Sequence, residues 1–189
     1  AIGLYALSRR RERGEPPWLA PTLDAWAPNV SAIGLFALVL AVILLVWARA
    51  SLIVFALFFT HDVPSLKDFA AQLLSPTNLE FLLAYLLVGG FFAVLVFAIS
   101  VVSVPMMLDR DTDGIVAVLT SLRAFGANVP AMLVWGLCIL VLVALGFALA
   151  FVGLAVTVPV IGHATWHAYQ ALVAPAPDAA AGTGPPAAP

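Results

Sequence analysis

Residues 30–59 read VSAIGLFALVLAVILLVWARASLIVFALFF, a run in which Arg49 is the only charged side chain. As one helix it reaches about 45 Å, against a hydrocarbon core of about 30 Å, so it crosses a bilayer with length to spare for tilt, bend or overhang. No polar stripe is present to turn toward water, and the solvent such a surface faces is lipid. A helix entering near Ala32 carries Arg49 about 26 Å further along, close to the far interface. Arg49 there reaches the headgroups by snorkelling; the competing reading is a functional cation inside the membrane.

The same character continues on both sides of this run. Leu79 to Val104 forms a second spanning segment that Pro105 is expected to close, with Gly89 and Gly90 at its middle where a neighbouring helix could approach closely. Ala131 to Val173 is apolar for 43 residues, about 65 Å as one helix, which no single crossing uses. A tight hairpin near Gly146 to Gly153 is therefore expected, its second arm carrying Pro159. The transmembrane domain is thus residues 30–173, with spans at about 30–59, 79–104, 131–149 and 150–173.

Between the spans the chain turns polar. Ser65, Leu66, Phe69, Ala70, Leu73 and Leu74 fit a short amphipathic helix capped by Ser65 with Asp68, and Thr77 with Glu80 repeats the capping spacing before the second span. Asp109, Arg110, Asp111, Asp113 and Arg123 accompany Ile115, Val118, Leu119, Leu122 and Phe125 at helical spacing, which predicts a second interfacial helix. The expected fold class is an all-α membrane protein: a polytopic transmembrane helix bundle with short interfacial helices. Residues 174–189, rich in Pro, Ala and Gly, have too little to bury and are expected to be disordered.

Composition agrees: hydrophobic residues make up 63% of the 189 positions and charged residues 10%, where soluble domains have roughly 45–50% and about 25%. The eight Lys and Arg residues are placed unevenly. Arg9, Arg10, Arg11 and Arg13 follow an apolar opening that reads as the last turns of a truncated helix, so residues 1–29 form a helix end and a basic cytoplasmic juxtamembrane segment. Successive crossings then put Arg110 and Arg123 on the cytoplasmic side as well and leave Lys67 outside, as the positive-inside rule requires. The carboxyl tail also ends in the cytoplasm on this topology.

Few residues invite chemistry. Cys138, the single cysteine, excludes a disulfide within the chain and reads as a small buried hydrophobe. His163 and His167, four residues apart on one helix face, could both reach one metal ion, with Asp109, Asp111 and Asp113 as further ligands on the same side of the membrane. The plainer reading places them at a helix end whose negative dipole suits histidine, with Trp166 and Tyr169 in the aromatic belt. Either way the two imidazoles are expected to face the protein interior or the cytoplasmic interface near Asp109 to Asp113. Those aspartates themselves suit helix capping and salt bridging with Arg110 rather than a calcium loop, which would need a later glutamate. No phosphate-cradling loop, nucleophile elbow or paired carboxylates in a cleft are present.

Three stretches carry a family resemblance: Ile2-Gly3-Leu4-Tyr5 with Ser8-Arg9-Arg10-Arg11-Glu12; Ser103-Val104-Pro105-Met106-Met107-Leu108-Asp109-Arg110 with Thr120-Ser121-Leu122-Arg123-Ala124; and Pro159-Val160-Ile161-Gly162-His163-Ala164-Thr165-Trp166-His167. In these the chain resembles a family of uncharacterised bacterial integral membrane proteins, a domain of unknown function. The resemblance implies further helices ahead of Ala1. Ala6 stands where the family usually has Glu, and Gln170 where it usually has Arg. Some members carry the label of cytochrome oxidase subunit I, which needs six histidines for its haems and copper; this chain has His61, His163 and His167.

The expectation is a non-catalytic, multi-pass protein of the bacterial inner membrane, without cofactor. It would serve as an accessory or scaffold subunit of a larger respiratory or photosynthetic assembly, its partners being the bilayer and other membrane subunits, and no nucleic acid. The alternatives are a small-solute transporter or channel using Arg49, the Gly-Gly pair and Pro159, and a metal or redox site at His163 and His167.

Overall fold

A computed structural model of the chain describes residues 2–16, 18, 22, 24–59, 78–110 and 112–173. The helix expected over 65–74, together with Thr77, Lys67, His61, Asp111 and the 174–189 tail, lies outside the described residues. All regular structure among the described residues is helical: α1 (Ile2–Glu12), a 3-10 turn (Ala27–Asn29) leading into α2 (Val30–Phe58), α3 (Leu79–Ser100), α4 (Ser103–Asp109), α5 (Gly114–Ala127), α6 (Val129–Ala148) and α7 (Leu154–Leu172). Among the described residues three segments are long and apolar enough to cross a membrane: Ala27–Phe58, Leu79–Asp109 and Val129–Ala148. Their outward surfaces are lined by exposed residues such as Leu45, Leu57, Leu87 and Leu140, which only a lipid environment stabilises. α7 has the length but not the uniform apolarity, because its second half carries His163, Thr165, His167, Tyr169 and Gln170.

The described chain divides into two compact units, Ala1–Leu35 with Ala98–Pro189, and Phe36–Phe97. In the first, α1 packs on α7 and on α4, α4 packs on α5, and α6 pairs with α7. Its core is Tyr5, Ala6, Val102, Met106, Met107, Trp166 and Tyr169.

Pro105 does not end the second span. The helix stops at Ser100, two turn residues follow, and Pro105 occupies the first turn of α4, where no N–H is needed. Ser121 of α5, fully buried, satisfies the break: its Oγ accepts from Val102 N at 3.2 Å and donates to the Ala98 carbonyl at 2.6 Å. A serine facing the protein here answers backbone groups that hydrocarbon could not. The rest of α5 reverses the usual amphipathic arrangement. Ala117 and Ser121 are its buried residues, while Ile115, Val116, Leu119 and Leu122 are exposed.

The hairpin stands where the length argument puts it, with helix ending at Ala148 and resuming at Leu154. α6 begins two residues ahead of expectation, at Val129, because Pro130 suits its first turn. The turn places Ala150 at φ 50° and Phe151 at φ 67°. Gly153 admits the closure: a β-carbon there would stand 2.9 Å from the Gly146 α-carbon, which is backbone and cannot yield. Cys138 corrects the sequence reading, being exposed on α6 rather than buried.

The second unit holds residues 36–58 of α2 and 79–97 of α3. One end is an aromatic cluster in which Phe81, 2% exposed, meets the rings of Phe59 at 4.9 Å, Phe58 at 5.7 Å and Phe55 at 6.2 Å. Further along, Trp47 lies beside Gly89, so the two segments run antiparallel.

A polar clasp between α1, α4 and α7

The functional candidates of the first unit gather where α1, α4 and α7 meet. Tyr5, Ser8 and Glu12 recur at helical spacing along one face of α1, and Gly162, His163, Trp166 and Gln170 along α7. Glycine sets the approach of the two helices. A β-carbon on Gly162 would stand 2.7 Å from Leu4 Cδ1 and 2.9 Å from Leu4 Cβ, so only the bare backbone fits.

That approach lets short polar side chains reach across. Ser8 Oγ lies 2.6 Å from His163 Nδ1 and 3.2 Å from the Leu4 carbonyl oxygen. The hydroxyl has one proton to give, so when it donates to Leu4 the imidazole donates to it, and the tautomer follows. One turn further, Glu12 accepts from Trp166 Nε1 at 3.0 Å and from the Gln170 amide, and His167 Nδ1 lies 3.7 Å from the same carboxylate. Tyr5 and Trp166 stack at 6.4 Å.

α4 closes the third side. Tyr169 donates to Asp109 Oδ2 at 3.0 Å, and Arg110 Nε lies 3.9 Å from that oxygen. The carbonyl groups at the end of α4 are taken by side chains: Arg9 donates to Leu108 at 2.6 Å and Asn29 to Met107 at 3.1 Å. Burial pulls the Arg9 guanidinium below its ordinary value, with Arg13 adding to the effect and Asp109 opposing it. Asp113 caps α5, accepting from Ile115 N at 2.7 Å.

The expected site residues are thus distributed differently from the sequence reading. His163 and His167 do share a face, but their partners are Ser8 and Glu12 of α1, and Asp109 goes to Tyr169. Trp166 and Tyr169 are 0% and 2% exposed, so they are core residues of the clasp rather than an outward aromatic belt. Among the described residues no group of three or more His, Cys, Asp or Glu side chains is disposed to hold a metal ion. Arg49, on α2, is exposed, with no hydrogen bond or ion pair to it among the described residues. Ser8 and Glu12 escaped the sequence reading, although their i, i+4 spacing on α1 matches that of His163 with His167 and of Trp166 with Gln170.

Helices of this apolarity, tied by partly buried hydrogen bonds between their ends, define a multi-pass integral membrane protein. Residues 1–109 match the family described as "Predicted integral membrane protein (DUF2189)", which covers more than half of the chain. The chain belongs to that family. Among curated proteins and among solved structures, none matches it.

Proposed function

We propose that the protein is a non-catalytic accessory or scaffold subunit of a larger assembly in the bacterial inner membrane, of the respiratory or photosynthetic kind. The observation behind this reading is that the polar side chains of the clasp are engaged with one another. Ser8 is 4% exposed with its hydroxyl against His163, and the Glu12 carboxylate is spent on Trp166 and Gln170. A nucleophile without access and a carboxylate already holding two donors serve helix packing better than turnover. The exposed apolar residues of α2, α3 and α6 leave ample surface for other membrane subunits as well as lipid.

Extraction of native membranes in mild detergent, followed by separation by native mass, tests the proposal. Co-migration of the chain with other subunits at fixed stoichiometry is expected. Migration solely as a monomer or homo-oligomer would contradict it and favour the transporter reading.

A further inference from the structure

The carboxyl end of α1 carries more positive charge than its surroundings use. Arg9, Arg10, Arg11 and Arg13 follow one another closely, with Glu12 and Glu15 as the acidic residues of the stretch. Glu12 is turned to α7, where it holds Trp166 and Gln170, and Glu15 pairs with Arg10 at 3.4 Å. Arg9 spends Nη1 on the Leu108 carbonyl, and the neighbouring Asp109 carboxylate already accepts from Tyr169. Arg11 and Arg13 are exposed, with no hydrogen bond or ion pair to either side chain among the described residues. The negative end of the helix offsets only about half a charge, and Arg13, four residues on from Arg9, opposes that residue's charge. What is left over calls for an anion from outside.

The depth of these arginines narrows the choice. Leu108, to which Arg9 is bonded, is the penultimate residue of the spanning segment Leu79–Asp109. Asn29, at the start of the span Ala27–Phe58, donates to Met107, the residue before it, so two span ends coincide beside Arg9. Span ends lie in the headgroup layer, where the anions are phosphates. Gly14, at φ 70°, ends α1 and turns the chain back, so that the Pro16 carbonyl accepts from Arg10 Nε at 3.3 Å and from Trp18 N at 2.9 Å. Trp18 is thereby held next to the arginines, 65% exposed. An indole so placed suits the boundary between headgroups and acyl chains. Free phosphate or an acidic protein segment would match the charge, whereas a phospholipid matches the charge and the indole together. A zwitterionic headgroup brings its own ammonium and leaves the excess uncompensated, so the lipid must carry net negative charge.

We propose that the end of α1 is a headgroup site for an anionic phospholipid. Arg11, Arg13 and the remaining N–H groups of Arg9 bind the phosphodiester, whose oxygens fit the guanidinium fork, and Trp18 lies against the glycerol and the upper acyl chain. The site does not depend on the subunit reading above.

The full chain in maltoside detergent, titrated with phosphatidylglycerol or with phosphatidylcholine of the same acyl chains, tests the site, native mass spectrometry counting the lipid retained per chain. Retention of phosphatidylglycerol well above phosphatidylcholine is expected. Arg11→Gln and Arg13→Gln should each weaken it about fivefold, the worth of one charge at a membrane surface, and the pair about twentyfold. Trp18→Ala should weaken it about threefold. Arg123→Gln, which removes one charge from α5, should leave it unchanged, with circular dichroism checking that every variant keeps its helices. Equal retention of the two lipids by the parent chain, an equal loss in Arg123→Gln, or displacement of the lipid by inorganic phosphate at matched ionic strength would overturn the proposal. So would an acidic protein that co-purifies with the parent chain and is lost in the Arg11→Gln and Arg13→Gln pair while phosphatidylglycerol retention stands.

Discussion

At Gly162 the distance between two helices rests on one missing methyl group. Gly162→Ala would place a β-carbon within 3 Å of Leu4 Cβ and Cδ1. Overpacking of this kind costs about 1–3 kcal/mol. The variant should unfold at lower temperature in detergent, and Leu4→Ala in the same chain should restore part of the loss; no recovery in the double variant would mean the strain lies elsewhere. The contacts of Trp166 and His167 with the Glu12 carboxylate differ in weight. Glu12→Gln exchanges a charged acceptor for a neutral one opposite buried Trp166 and should destabilise by about 1 kcal/mol, in line with hydrogen bonds to charged groups once partial exposure is allowed for. His167, 68% exposed and 3.7 Å from that carboxylate, contributes far less, so His167→Ala should stay within about 0.5 kcal/mol of the parent. Equal losses from both substitutions in a denaturation series would refute this ranking. The clasp was only half legible in sequence. The i, i+4 histidines were plain, but choosing their partners by charge pointed to the aspartates, whereas the partners are the small and acidic residues that a glycine contact brings within reach.

Among the elements, the hairpin was the most legible, because 43 apolar residues exceed any single crossing and Gly146 and Gly153 mark where two backbones can touch. The exposure of Cys138 was not legible, since a uniformly apolar helix gives no periodic signal for which side meets protein and which meets lipid. Nor was the break at Val101 and Val102, which depends on Ser121 donating and accepting from another helix. The turn itself makes opposite predictions for neighbouring positions. Gly153→Ala drives a β-carbon against Gly146 backbone and should loosen the α6–α7 pair, costing about 1–3 kcal/mol. Ala150→Gly relaxes a residue held at φ 50° and should leave stability unchanged or raise it by up to about 1 kcal/mol. Thermal unfolding of the two variants in one detergent reads both signs, and a stabilising Gly153→Ala would show that the turn is built otherwise.

For the molecule as a whole, the clasp and the charge pattern group the amino-terminal arginines with Arg110. Arg9 of the basic cluster donates to Leu108 at the end of α4, which places the amino-terminal arginines beside Arg110, the neighbours that the positive-inside argument requires. Residues 11 and 123 should therefore face one compartment and residue 67 the other. This follows because the chain crosses the bilayer along α2 and returns along α3, both of spanning length and apolarity. Single cysteines placed at Arg11, Lys67 and Arg123, each in a Cys138→Ser background, and labelled in sealed inverted and right-side-out vesicles with a membrane-impermeant maleimide, test the account most directly. Positions 11 and 123 should react only in inverted vesicles and position 67 only in right-side-out ones. Labelling of all three from the same side would contradict a chain that spans the membrane.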